Sequence, residues 1–237
     1  MIALILAGGK GTRLRPFTAE IPKPLLELNG KTILGNQIDL LQEAGISRII
    51  IVTGYLHEKI HTFIEKNYPN TGIAFVHNAE YENSRPAFGI ICALNQIDDE
   101  ILYLNGDVLF KKVILEKVVN SKEKNVTAVQ KTNWDEEEVN VVVENGLIKE
   151  LSKNLSKEES HGEFIGVTKL SFEFVNCIKE IVEKEGSEVF RHSFAIDLIN
   201  HTLNQKNQNL YPIDVTNMGA IEIDTPEDYS EAIKKND

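Results

Sequence analysis

The segment IALILAGGKGTRLRPFT, residues 2–18, decides how the rest of the chain is read. Ile2 to Leu6 is a continuous apolar run too short for a helix, the pattern of a strand buried on both faces. It stops at Gly8-Gly9-Lys10-Gly11, so a buried strand feeds a glycine loop. Downstream, Thr32 can cap a helix through Ala44 with Ile33, Gln37/Ile38, Leu41 and Ala44 on one stripe, closed by Gly45. The run SRIIIVTG then supplies the next buried strand, which completes a βαβ unit.

The alternation continues with a helix at 57–66, a strand at 73–77, a helix near 87–96 and a strand at 100–104. A helix at 112–121 and a strand at 125–130 follow. This order predicts an α/β fold: a Rossmann-like, mostly parallel sheet flanked by helices. After about residue 130 the pattern changes. EVNVVVENGLIKEL holds two extended runs around Asn145-Gly146, a dipeptide suited to a type I′ hairpin. Helices at 171–185 and 192–204, strands near 209–213 and 220–223, and a helix from Pro226 capped by Asp224 or Thr225 close the chain. We therefore expect one domain over 1–237, with a mostly parallel part over about 1–130 and a smaller antiparallel part over about 131–237.

The charge distribution is uneven. The chain has 36 Asp+Glu against 25 Lys+Arg, a formal charge of −11, which disfavours nucleic acid and anionic membranes as partners. Yet Lys10, Arg13, Arg15, Lys23 and Lys31 crowd around the glycine loop, so a local anion is expected there. Cys92 and Cys177 are far apart and form no CxxC pair, which fits a reducing, cytoplasmic setting. No basic leader precedes the first apolar run, and no later run approaches membrane-spanning length.

Two familiar phosphate loops fail at named positions. A dinucleotide GxGxxG needs glycine where Leu14 stands, which disfavours a nicotinamide oxidoreductase, and a Walker A loop needs its lysine after the last glycine, not at Lys10. What remains is a loop whose backbone N–H groups and nearby Arg13 and Lys23 can meet a polyphosphate. LAGGKGTRLRPFT followed by PKPLLELNGK resembles the signature of nucleotidyltransferases that couple a nucleoside triphosphate to a phosphorylated sugar or alcohol and release pyrophosphate. The texture is most similar to the short cytidylyltransferases acting on phosphocholine or 2-aminoethylphosphonate.

That resemblance implies that Leu6, Ala7, Gly8, Gly9, Lys10, Gly11 and Thr12 wrap the nucleotide, while Arg13 and Lys23 bind and neutralise its phosphates. Asp107, just past a buried strand in ILYLNGDVLF, and Asp224, in AIEIDTPEDY, would hold Mg²⁺; Asp107, in good turn chemistry, also reads as a cap for the next helix, and Asp224 as a cap for the last one. Lys153, Glu163 and Gly166 would line the acceptor pocket, with Asp197 as a further contact; Arg15 and Lys31 read as surface charges. Trp134, Phe164, Phe194 and Tyr211 are the aromatic candidates for a choline cage. Close relatives carry an aromatic before EID where this chain has Gly219-Ala220-Ile221, a departure that weighs against choline.

The partners implied are CTP and a small phosphorylated or phosphonate acceptor, with a homodimer left open. Sugar-1-phosphate transfer from UTP, dTTP or GTP, and a non-catalytic nucleotide-binding subunit, are the alternatives.

Overall fold

The computed structural model describes residues 1–132 and 134–235. Strand β1 (Ile2–Ala7) lies at the centre of a nine-stranded sheet. It pairs in parallel with β4 (Ile49–Thr53) on one side and β6 (Ile101–Asn105) on the other, and β5 (Ile73–His77) extends the sheet beyond β4. The short strands β2 (Glu27–Leu28) and β3 (Lys31–Thr32) form a separate hairpin, as do β7 (Val108–Leu109) and a later partner.

The helices cover both faces. Because alternate side chains of a strand point to opposite faces, Ile2 and Leu4 join one apolar cluster while Ala3, Ile5 and Ala7 join the other. Helices α1 (Ile33–Glu43), α2 (His57–Asn67) and α4 (Lys112–Val119) pack on the second face. Helix α3 (Pro86–Ala93), with α5 (Phe172–Glu185) and α6 (Ala195–Lys206), packs on the first. Thr32 caps α1 by accepting the Gly35 N–H at 2.9 Å, as the sequence predicts.

The second half adds the antiparallel region. Strands β8 (Val126–Gln130), β9 (Asn140–Glu144), β10 (Leu147–Ser152), β11 (Glu163–Leu170) and β12 (Tyr211–Asp214) join the sheet, with β11 antiparallel to β6, β8 and β9. The β9–β10 turn puts Asn145 at φ 51° and Gly146 at φ 80°, the left-handed pair that a type I′ turn needs. Strand β11 changes register between Phe164 and Thr168. Gly166 sits there at φ 68°, where a Cβ would lie 2.5 Å from the Asn105 side chain, so only glycine lets the strand pass.

A third, small cluster positions the chemistry. Leu14, Leu26, Leu28, Ile33, Leu109, Ile223 and Ala232 pack together, so the glycine-loop segment, β7, β13 (Ile221–Glu222) and α7 (Pro226–Lys235) share one core. Leu14, which breaks the dinucleotide fingerprint, is the fully buried anchor of the loop. Among the described residues no helix is long and apolar enough to cross a membrane.

Candidate active site

The site lies at the carboxyl ends of β1, β4 and β6, where open α/β sheets bind ligands. The loop after β1 is braced on both sides: Leu6 O accepts the Gly106 N–H at 3.0 Å, and Gly8 O accepts the Tyr55 N–H at 3.0 Å. A Cβ on Gly106 would collide with the Leu6 carbonyl, so glycine there is what lets the two loops touch. Thr18 Oγ1 donates to Gly11 O at 2.6 Å and closes the loop from below. The result is a cleft of two connected lobes. The smaller, about 220 Å³, is lined by Gly9, Gly11, Thr12, Arg13, Lys23 and Asp107; the larger, about 310 Å³, opens towards α3, β11 and the start of α6.

Three carboxylates meet where the lobes adjoin, Asp107 and Asp224 lining both and Glu222 the larger. Strand β13 pairs with β7, placing Glu222 opposite Val108, and Ile223 N donates to Asp107 O at 3.1 Å. Oxygens of Asp107, Glu222 and Asp224 then lie within 4.8 Å of one another. Lys23, only 8% exposed, bridges two of them, reaching Asp107 at 2.8 Å and pairing with Asp224. Arg13 pairs with Asp224 and, at 3.0 Å, with Glu137. Burial opposes the Lys23 charge, but Asp107 and Asp224 outweigh it and raise its pKa above an ordinary lysine. Burial likewise opposes ionisation of Asp224, and Lys23 and Arg13 outweigh it, holding the carboxyl below the usual range.

The capping alternatives for both aspartates find no support in the geometry. Thr225 and Asp228 cap α7 between them: Thr225 Oγ1 accepts the Asp228 N–H at 3.2 Å, and Asp228 accepts the Thr225 N–H at 2.7 Å. That leaves the Asp224 carboxylate for the cations. Asp107 caps no helix either, since α4 begins after Lys111 without a side-chain cap.

The donor set fits a hard divalent cation. All three groups are carboxylates, the ligands such ions prefer. Among the described residues Asp107 Oδ1 is buried without a hydrogen-bond partner, an oxygen left over for another donor or a metal.

Other predicted residues scatter. Lys10 sits at the rim, paired with Glu82 at 2.8 Å and 5.9 Å from the Tyr81 ring centre. Lys153 lines the larger lobe and donates to Glu137 O at 2.6 Å. Glu163 accepts from Gln130 and Thr132 at 3.2 and 2.9 Å beside the lobe, and Gly166 packs on Asn105. Asp197 is exposed and off the cleft, where its carboxylate caps α6 by accepting the Phe194 N–H at 2.6 Å. Of the aromatic candidates, Phe164 and Phe194 line the larger lobe, whereas the Trp134 indole donates to Leu155 O at 3.2 Å and Tyr211 packs on the opposite cluster. Arg15 is exposed, and Lys31 pairs with Asp39 at 2.7 Å on the surface.

Residues the sequence reading passed over complete the site. Burial raises Glu222 well above an ordinary carboxyl, reinforced by Asp107 and Asp224. Burial, with Glu163 and Asp224 nearby, pushes Glu138 up to about 7. Gln37 Nε2 donates to Asn105 O at 2.8 Å and Val108 O at 2.9 Å, so α1 pins the loop that carries Asp107. Glu222 had a readable signal, because side chains two apart in an extended run point to one side and it stands two before Asp224 in AIEIDTPEDY.

Residues 2–154 match the Nucleotidyl transferase family. The chain belongs to that family. It is 28% identical over 193 residues to CTP:phosphoglutamine cytidylyltransferase of Campylobacter jejuni, covering 74% of this chain and 75% of the relative. It is 32% identical over 139 residues to UTP–glucose-1-phosphate uridylyltransferase of Haloferax volcanii, covering 57% of this chain and 56% of the relative, little more than half its length. The fold of this nucleotidyl transferase family member superposes on the CTP:phosphocholine cytidylyltransferase of Streptococcus pneumoniae with a TM-score of 0.81 at 22% identity, over 100% of this chain and 99% of the other.

Proposed function

We propose that this protein transfers a nucleoside monophosphate, CMP from CTP in first place, to a small phosphorylated or phosphonate acceptor and releases pyrophosphate. The observation that carries this reading is the placement of Lys23 in the wall of the glycine-loop lobe, bridging Asp107 and Asp224. Arg13 and Lys23 stand where a triphosphate enters from the loop, with backbone N–H groups beside them. The residues over about 1–130 serve chiefly the nucleotide and those over about 131–237 chiefly the acceptor.

An acceptor phosphate is already anionic at neutral pH, so no side chain need remove a proton from it. One of its oxygens forms the new bond at the α-phosphorus as the bond to the bridging oxygen breaks, and pyrophosphate leaves with that electron pair. The barrier is the approach of two polyanions, which Arg13, Lys23 and Lys153 lower by position and charge. Asp107 and Asp224, with Glu222 beside them, would hold Mg²⁺. When bound, the ion would neutralise charge on the phosphate oxygens.

The test is pyrophosphate release with Mg²⁺ over a grid of CTP, UTP, dTTP and GTP against phosphocholine, 2-aminoethylphosphonate, glycerol 3-phosphate and sugar 1-phosphates. Turnover with one triphosphate and one acceptor is expected. A blank grid with nucleotide binding intact would favour the non-catalytic alternative.

A further inference from the structure

The cations lining the cleft divide by what faces them. Arg13 and Lys23 sit on carboxylates. Arg85 and Lys153 line the larger lobe, and among the described residues neither has a carboxylate at ion-pair distance. Both instead flank one aromatic ring: the Arg85 guanidinium lies 4.4 Å from the Phe194 ring centre and the Lys153 ammonium 5.9 Å from it. A guanidinium so placed gains cation–π attraction while its N–H edge stays open to a bidentate anion.

The backbone fixes this corner. Arg85 N donates to Arg191 O at 2.8 Å and Ala87 N to Ser193 O at 3.2 Å, tying the start of α3 to the segment that leads into α6. The Asp197 carboxylate holds the Phe194 N–H at the start of α6. Two helices thus begin here, and their amino ends add partial positive charge. Lys153 is held by Glu137, the residue that also holds Arg13, so it belongs with the reacting phosphate. Among the described residues Arg85 has no such tie. A protein of net charge −11 has little reason to leave an arginine on an aromatic ring in its main cleft unless an anion comes there.

We infer that the acceptor carries a carboxylate besides its reacting phosphate or phosphonate, and that Arg85, stacked on Phe194, binds it. The inference rests on the transferase reading and narrows its substrate class. The same stacking tells against a quaternary ammonium, because Phe194 already offers a face to a cation and Arg85 and Lys153 repel another. Glu138 lines the same lobe, and its displacement towards neutrality, to about 7, softens its repulsion of an anion.

Matched acceptors that differ by a carboxylate test this directly: O-phosphoserine against O-phosphoethanolamine, 3-phosphoglycerate against glycerol 3-phosphate, and glucuronate 1-phosphate against glucose 1-phosphate. Pyrophosphate release is measured with Mg²⁺ and each triphosphate, and equilibrium binding with the non-hydrolysable α,β-methylene analogue of CTP. In at least one pair the carboxylate member should be favoured by about 10- to 100-fold, expressed in KM. Arg85→Gln should erase that preference with the KM for the triphosphate unchanged, and Arg85→Lys should restore part of it. Equal use of the members of every pair, phosphocholine as the best acceptor, or an Arg85→Gln effect on the triphosphate KM would each overturn the inference while leaving nucleotidyl transfer standing. Arg85-dependent binding of a carboxylate member without pyrophosphate release from any acceptor would leave the anion subsite standing and overturn the transferase reading instead.

Discussion

The two ends of the cleft handle charge in opposite ways. Beside the glycine loop, Lys23 and Arg13 are committed to Asp107 and Asp224, so the site is internally balanced before any ligand enters. At the far end, Arg85 and Lys153 rest on the Phe194 ring with no carboxylate partner among the described residues. The first arrangement is a set of counter-charges that must change partners when ligands arrive. Lys23 can turn to a phosphate only when something else neutralises Asp107 and Asp224. The second arrangement can take an anion without giving up an existing pair. On the proposed function, this contrast would tie nucleotide binding to divalent cation binding at one end and hold the acceptor's carboxylate apart from the metal at the other.

Removing the bridge should have the largest effect. Lys23→Ala should lower turnover by about 10²–10³-fold while far-UV circular dichroism stays that of the native fold. Lys23→Arg, which keeps the charge, should retain part of the activity. The same substitution should lower Tm near pH 7. Asp224 has its carboxyl pKa depressed chiefly against burial by Lys23, so its contribution is present above the unfolded value of about 3.8 and lost as pH falls through the folded one. The Tm deficit of Lys23→Ala should therefore shrink below about pH 4. Unchanged turnover in Lys23→Ala would mean that the balanced end of the cleft is a structural ion cluster.

Asp107→Asn comes next. It keeps the shape of the turn but removes one charge from the three carboxylates. Turnover should fall by about 10²-fold, and the Mg²⁺ concentration for half-maximal rate should rise. Cation titration by thermal shift separates this from a folding defect, since wild type should gain Tm on adding Mg²⁺ and the variant should gain less. A normal metal response would return Asp107 to turn chemistry alone.

How much of this could be read in the sequence follows from which contacts are local. The buried strand, the glycine loop and its cations are contiguous, so Ile2 to Lys23 announces both the sheet and the cation-lined loop beside it. Thr32 and Asn145-Gly146 are equally local, and each adopts the conformation its chemistry requires. Asp224 and Asp107 were visible as motifs, although their meeting depends on the β7–β13 pairing. Glu138 was hidden in DEEEVN, which reads as a solvated acidic run until the fold carries it into the cleft. Gln37 counted as part of an apolar stripe, because its two carbonyl partners come from a loop 68 and 71 residues away. Asp197 shows the reverse case: an acidic residue near the right elements spends its carboxylate on the Phe194 N–H. Arg85 carries no local signal of its own, and only the approach of α6 reveals the ring beneath it.

The smallest effect probes the boundary between the two ends, where Glu138 lines the larger lobe. Burial, together with Glu163 and Asp224, raises its pKa to about 7 from a reference of 4.5. The folded state therefore holds a proton that the unfolded state releases between those values, and stability from this group is present below about pH 4.5 and lost as pH rises through about 7. Glu138→Gln fixes the neutral form, so it should raise Tm by a few degrees at pH 8 and change it little at pH 4.5. The reason is that the charge it removes lies beside Glu163 and Asp224, and Lys153 offsets only part of that repulsion. An equal Tm gain at both pH values would assign the benefit to packing, and a loss at pH 8 would show that the charged form of Glu138 is the one the cleft stabilises.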